Sequence, residues 1–283
     1  MDVAIVGAGR VGTAVAVLLQ RAGHRIASVA GRDATPGRAA AYLPGVPVLP
    51  VEDAAAAGEL VMIGVPDDAI EETAGRLAGA LRSDAWVSHM SGARGLDELD
   101  SARTERIVAV HPLMTVPDVE SAIERIPGST AAVTAATEEG FALGEGISRD
   151  IGAAPFRLAD ERRALYHAAA VFASNYVVAS AGVAEELLRE AGVPDPAAAL
   201  LPLARATLDN IARLGPGDAL TGPAVRGDAG TVARNLEALR TYAPHAVPAY
   251  VELCRLALDL GLRAGRLAPD ARTRVEEELA RWT

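Results

Sequence analysis

Gly7, Gly9 and Gly12 are spaced as G-x-G-x-x-G, directly after the apolar run Val3-Ala4-Ile5-Val6 and before a helix-like recurrence of Val11, Ala14, Val15, Leu18, Leu19 and Ala22. Each glycine answers a separate need in such a turn. The first permits a tight bend, the second lets backbone approach a pyrophosphate, and the third lets helix pack close on strand. The free N–H groups of Arg10, Val11 and Gly12 sit at the positive end of the helix dipole and suit phosphate oxygens. A glycine-rich turn that binds nothing is the bland alternative, and the strand-turn-helix frame weighs against it.

The second strand, Arg25 to Ala30, ends where an adenosine ribose would lie. NAD-binding versions place an acidic residue there, whereas this chain has Gly31-Arg32. A small residue followed by a guanidinium leaves room for a 2′-phosphate and a fork to hold it, so the expected cofactor is NADP(H). Asp33 offers the competing ribose carboxylate, although a cap and first-turn pair at Thr35-Pro36 places it in the loop.

Polar residues just past the carboxyl ends of strands are the next candidates, because ligands of open parallel sheets collect there. His89, Ser91, His111 and Thr115 follow or close the expected strands Ala85–His89 and Ile107–Val110. Pro66 follows Leu60–Val65 and would wall the middle of the cofactor, with Asp67 or Asp68 as a helix cap. A strand-end His or Ser also serves to satisfy nearby backbone, but four together point to a site. All 27 basic residues are arginine. Schiff-base chemistry and a lysine general acid are therefore excluded.

These residues need a scaffold of alternating strands and helices, and the pattern supplies one. With two more short strands at Thr130–Thr134 and Ala154–Leu158, residues 1–158 read as a doubly wound, mostly parallel α/β sheet. Residues 159–283 read as an all-helical second domain. Its first helix spans Asp160 to about Ala191, capped by Asp160, closed by Gly192 and Pro194, and buried rather than membrane-spanning. Pro202 should kink the helix that starts at Asp195-Pro196, and further helices begin near Thr231, Pro248 and Pro269. The loop Thr221–Asp228 carries Arg226, suited to bidentate recognition of a carboxylate; the alternative is an Arg226–Asp228 pair with Asp228 capping the next helix.

With half of the chain hydrophobic and only 4% aromatic, the core must be built mostly from Ala, Leu and Val, which suits packed helices and a buried parallel sheet. The net charge of -10, without a basic cluster, argues against nucleic acid. Cys254 is the single cysteine, so no internal disulfide or cysteine-rich metal site exists, and no metal is expected. With no basic-then-apolar leader, the expected home is the cytoplasm, away from membranes.

The set Gly7-x-Gly9-x-x-Gly12, His89-Met90-Ser91-Gly92-Ala93, His111-Pro112-Leu113, Tyr166-His167-Ala168-Ala169-Ala170, Ser174-Asn175-Tyr176 and Thr221-Gly222-Pro223-x-x-Arg226-Gly227-Asp228 resembles a bacterial family. That family joins a Rossmann-like domain to a helical C-terminal domain of unknown function, akin to ketopantoate reductase and pyrroline-5-carboxylate reductase. The resemblance implies a homodimer whose long helix lies over the nicotinamide. In ketopantoate and hydroxyacid reductases of the wider superfamily, that helix carries a lysine four residues before an asparagine. Here Asn175 matches the asparagine, and Val171 stands where the lysine would be. His167, two turns before Asn175 and close to the same helical face, is the nearest replacement donor. The expected activity is reduction of a small anionic 2-oxo acid, ketopantoate-like, by NADPH. Asn175 and Ser91 would polarise the carbonyl, His167 or His111 would supply the proton, and Arg226 with Thr221 would bind the substrate. Imine reduction and non-catalytic NADP(H) binding are the alternatives.

Overall fold

Val3 and Ile5 face one side of the first strand and Ala4 and Val6 the other, and each pair enters a different hydrophobic core. That alternation is the period of two of an extended chain, here apolar on both faces because helices cover both. In the computed structural model, which describes residues 1–282, the chain forms two compact units that divide between Ser174 and Asn175. The expected boundary at 158 falls before the last helix of the first unit.

The first unit runs β1 (Asp2–Val6), α1 (Arg10–Arg21), β2 (Arg25–Ala30), α2 (Thr35–Tyr42), α3 (Val51–Ala56), β3 (Leu60–Ile63) and α4 (Ile70–Leu77). It continues with β4 (Trp86–His89), β5 (Ile107–Pro112), α5 (Val119–Arg125), β6 (Thr130–Ala135), α6 (Glu138–Asp150), β7 (Ala154–Arg157) and α7 (Arg163–Ala173). The strands make one seven-stranded sheet ordered β2-β1-β3-β4-β5-β6-β7. All neighbours are parallel except β5 and β6. This is the expected doubly wound, mostly parallel sheet. Strand order reverses at β1, with β2 on one side and β3 on the other, so a crevice opens at the carboxyl ends of β1 and β3.

The second unit contains α8 (Asn175–Glu190), α9 (Pro196–Ala219), α10 (Ala229–Tyr242), α11 (Val247–Arg263) and α12 (Pro269–Leu279), in agreement with the all-helical expectation. Its main core is Val232, Leu236, Val251, Cys254, Leu258 and Val275, supplied by α10, α11 and α12. Neither α8 nor α9 contributes a buried residue.

Several local expectations are corrected. The helix predicted from Asp160 to Ala191 breaks at Ser174 (φ -126°, ψ -70°), which places His167 on α7 and Asn175 at the start of α8. The one continuous helix on which their shared face rests is therefore two helices. The segment Asp160–Glu190 is long and apolar enough to cross a membrane, and its most apolar stretch is not buried as expected. Asp160 caps no helix; its carboxylate accepts from the backbone N–H of Leu96 at 3.1 Å. Asp67 and Asp68 occupy a 3-10 turn after Pro66, and no side chain caps that turn or α4. The N-cap of α2 is Ala34 rather than Thr35, which lies buried in the first turn. Pro202 sits inside α9 without a break; the non-helical residue is Gly215, just before Pro216. Asp195 and Asp228 do cap α9 and α10, accepting from the N–H groups of Ala198 and Thr231, each at 3.0 Å.

Candidate functional site

The turn after β1 is shaped by the ends of β2 and β3. The N–H groups of Gly7 and Ala8 both donate to the carbonyl of Ala30, at 2.8 and 3.0 Å. Gly7 has φ +95°, and a methyl group added there would lie 2.6 Å from the backbone of Gly64 and Val65. At Gly12 an added methyl would lie 2.6 Å from the carbonyl oxygen of Gly7 and 3.2 Å from Ile5, so strand and helix touch at this point. Gly9 is different. Its nearest neighbours would be 3.9 Å away, and nothing inside the chain forbids a side chain there.

Gly9 is also the N-cap of α1, where no side chain caps the helix and no acidic residue occupies the first turn. By contrast α5, α6, α9 and α10 all begin at a capping Asp or Thr. The amides of Arg10, Val11 and Gly12 thus lie at an uncapped, positive helix end, which fits the diphosphate of a dinucleotide. Gly31 and Arg32 follow β2 beside this turn, since an added methyl at Gly31 would lie 3.4 Å from the Ala8 nitrogen. Arg32 and Asp33 are both exposed, which leaves the Arg32 guanidinium accessible to a 2′-phosphate. Pro66 follows β3 and is likewise exposed.

A second cluster forms at the carboxyl ends of β4 and β5, on the same sheet edge. The His111 Nδ1 is 2.8 Å from the Tyr166 hydroxyl, and the two rings meet edge-on at 5.6 Å. Phe156 braces Tyr166 from β7, with ring centroids 5.8 Å apart. Gly92 lies beneath: a methyl group there would lie 2.9 Å from His111 Nε2 and 3.0 Å from His167 Nδ1. The two imidazoles therefore converge on Gly92 and leave no room for a side chain there, and His167 Nδ1 is buried without a hydrogen-bond partner. Ser91 is buried close by; its Oγ accepts from the N–H groups of Ala93 and Arg94, which leaves the hydroxyl hydrogen free to donate.

Beneath this cluster Arg163 is almost wholly buried, and among the described residues no carboxylate lies within ion-pair distance of it. Its guanidinium donates to the carbonyls of Arg94 and Ser91 and, at 2.8 Å, to Thr134 Oγ1. Burial, then the Arg163 charge, holds both His89 and His111 down to about 4, so both are neutral at physiological pH. Burial pushes Tyr166 up to about 12, and its hydroxyl stays protonated. His89 has no capacity left for a ligand: Nδ1 accepts from the Ser91 N–H at 3.2 Å, and Nε2 lies 3.0 Å from the Gly95 carbonyl.

The fold thus brings Ser91, His111 and His167 together and adds two groups that sequence reasoning did not assign, Arg163 and Tyr166. Tyr166 carried a signal, as a polar residue beside His167 in an apolar run. Asn175, Thr221 and Arg226 belong to the second unit. Arg226 is exposed in the loop before α10 and has no ion-pair partner among the described residues.

The sheet order, the glycine turn and the open helix end define a dinucleotide-binding type of fold. Family profiles match accordingly: a Rossmann-like domain over residues 1–112 and a domain of unknown function, DUF2520, over residues 129–257. The chain belongs with the proteins that join these two domains. It is similar to a candidate NADP oxidoreductase from Bacteroides fragilis, with 23% identity, 91% of this chain and 98% of that one covered, and a TM-score of 0.77. A Thermotoga maritima protein gives 22% identity, coverage of 93% and 99%, and a TM-score of 0.71. Pyrroline carboxylate reductase from Plasmodium falciparum, solved with NADP bound, gives 12% identity, coverage of 92% and 98%, and a TM-score of 0.57. At these identities the likeness is one of fold. No curated protein matches the sequence.

Proposed function

We propose that this chain is an NADP(H)-dependent reductase of a small anionic carbonyl compound, with ketopantoate-like 2-oxo acids foremost. The observation that carries the reading is the pairing, at the carboxyl ends of the parallel strands, of an uncapped helix end at Gly9 with two imidazoles that converge on Gly92. Bound NADPH supplies the hydride. Gly7, Gly9, Arg10, Val11 and Gly12 would hold its diphosphate, Gly31 and Arg32 its 2′-phosphate, and Pro66 would flank its middle. The fold-level likeness to a candidate NADP oxidoreductase and to an NADP-bound reductase supports that assignment.

The chain's own contribution is to meet the charge that develops on the substrate oxygen. His111, neutral and held in place, and Ser91, with a free hydroxyl hydrogen, are donors for it. His167 offers the unpartnered Nδ1 beside them. Asn175, Thr221 and Arg226 keep the substrate-directed roles that their residue types suggest, Arg226 for a carboxylate.

The absence of lysine favours one second reading, reduction of a cyclic imino acid. A protonated imine is already electrophilic and asks less of an acid. Consumption of NADPH with 2-oxo acids and with cyclic imino acids separates the two, alongside calorimetry with NADPH and NADH. Turnover of an oxo acid is expected. Binding without turnover of either class would favour a non-catalytic NADP(H) protein, and no heat with either coenzyme would overturn the dinucleotide reading.

We also propose that a second copy of this chain covers α8 and α9. The 24-residue α9 has no buried residue and exposes Leu201, Leu203, Leu208 and Ile211, and α8 exposes Val178. Helices in water take most of their stability from burying an apolar face, and a monomer rarely leaves so much of it open. The same helix carries Arg205, Asp209 and Arg213, so its apolar side suits a protein partner better than a lipid surround.

A further inference from the structure

The reductase reading leaves unexplained why a tyrosine and a buried arginine without a direct ion pair stand behind His111. We infer that Tyr166 is a positioning residue: its hydroxyl donates to Nδ1 of His111 and so fixes the Nε2–H tautomer, which keeps a donor on the edge of the ring that lies beside Gly92 and His167, the donor the reductase reading gives to the substrate oxygen. This rests on the reductase reading for its use, and on geometry for its substance.

The Tyr166 hydroxyl lies 2.8 Å from Nδ1, its one hydrogen-bond partner among the described residues. Either group is able to donate in principle. A phenol is the stronger acid and an imidazole nitrogen the stronger base, so O–H to N is the stronger bond. With Nδ1 occupied as acceptor, the proton of neutral imidazole must reside on Nε2. Nε2 is the nitrogen that an added methyl at Gly92 would meet at 2.9 Å, beside the unpartnered His167 Nδ1.

Arg163 supplies the second half of the device. It pins the turn that carries Gly92 through the carbonyls of Ser91 and Arg94. Its charge also opposes protonation of His111, which would destroy the acceptor at Nδ1. The titratable and charged groups around His111 are Arg163, Tyr166 and His167 on α7 and His89 on β4, and none is a carboxylate. When the substrate carbonyl accepts hydride at carbon and its π bond opens onto oxygen, Nε2 gives that oxygen its proton and Nδ1 takes the phenolic proton. The phenolate left on Tyr166 is offset by the Arg163 charge and is reprotonated by solvent at its half-exposed edge.

The test is the tautomer itself, read by long-range 1H–15N NMR of the full chain labelled at its five histidines, with His111→Gln for assignment. His111 should carry its proton on Nε2 at pH 7 and keep that form down to pH 5. In Tyr166→Phe it should become a mixture of tautomers, with kcat roughly 10- to 100-fold lower and KM little changed. A proton on Nδ1 in the parent protein, or an identical His111 signal in a folded Tyr166→Phe variant, overturns the inference. Failure of NADPH to bind would instead overturn the reductase reading and leave the tautomer result standing.

Discussion

The backbone N–H of Ser91 donates to Nδ1 of His89 at 3.2 Å, and with Nε2 lying against the Gly95 carbonyl this buries a neutral imidazole inside the sheet edge. His89 is fully buried, and its pKa is lowered from 6.5 to about 4. The unfolded chain therefore binds a proton there that the folded chain refuses between those two values. Stability should be level above pH 6.5 and fall as pH drops from 6.5 toward 4, by about 3 kcal/mol from this residue alone. Chemical denaturation from pH 7.5 to 4 measures the slope, to which His111 adds in the same direction. His89→Asn should lower stability at pH 7 yet flatten that slope; an unchanged slope would show that His89 titrates normally.

Gly9 and Gly12 should separate binding from folding. An alanine at Gly12 would press on the Gly7 carbonyl oxygen at 2.6 Å, so it must move α1 off β1. Loss of about 1–3 kcal/mol is expected, with a lower melting temperature. An alanine at Gly9 meets nothing closer than 3.9 Å and should leave the melting temperature alone. It does intrude where a diphosphate approaches the backbone, and NADPH affinity measured by calorimetry should fall at least about tenfold. Equal affinity in the parent and Gly9→Ala would place the coenzyme elsewhere.

Much of this was legible in the sequence because the signals are local. The period-two run Val3–Val6, the glycine spacing and the periodic face of α1 lie within two dozen residues, and the loops after β4 and β5 follow from strand ends. What was not legible depends on distant contacts. Arg162 and Arg163 are adjacent and chemically alike, yet one is exposed and the other buried, because only the second reaches Ser91, Arg94 and Thr134. Asp160 resembles a cap but is drawn to the Leu96 amide across 64 residues of sequence. The break at Ser174 has neither glycine nor proline to announce it, and it divides the expected single helix into α7 and α8.

Arg32 is the residue on which coenzyme choice should turn. It is exposed beside the turn after β1, where a 2′-phosphate would lie, with Asp33 next to it as a candidate for a bare ribose. Arg32→Ala should weaken NADPH roughly 10- to 100-fold and leave NADH nearly unchanged, since a charge-assisted contact to one phosphate is worth about 1.5–3 kcal/mol. Asp33→Asn should do the reverse only if the chain prefers NADH. Titration of both variants with both coenzymes decides the matter, and an Arg32→Ala protein that still favours NADPH would remove arginine from the role.

The exposed face of α8 and α9 makes a claim about assembly that is open to the simplest measurement. Val178 and Leu203 are 71% and 68% exposed in the single chain, more than any other large apolar side chains in the two helices. If a second copy covers them, sedimentation or light scattering at micromolar concentration should give twice the chain mass without detergent. Val178→Glu with Leu203→Glu places two charges on that face. Burying unpaired charges costs several kcal/mol per ion, so the double variant should run as a monomer while the first unit keeps its affinity for NADPH. A parent protein that is monomeric at those concentrations would reject the dimer, and one that needs detergent or lipid vesicles to stay dispersed would assign the apolar face to a bilayer instead.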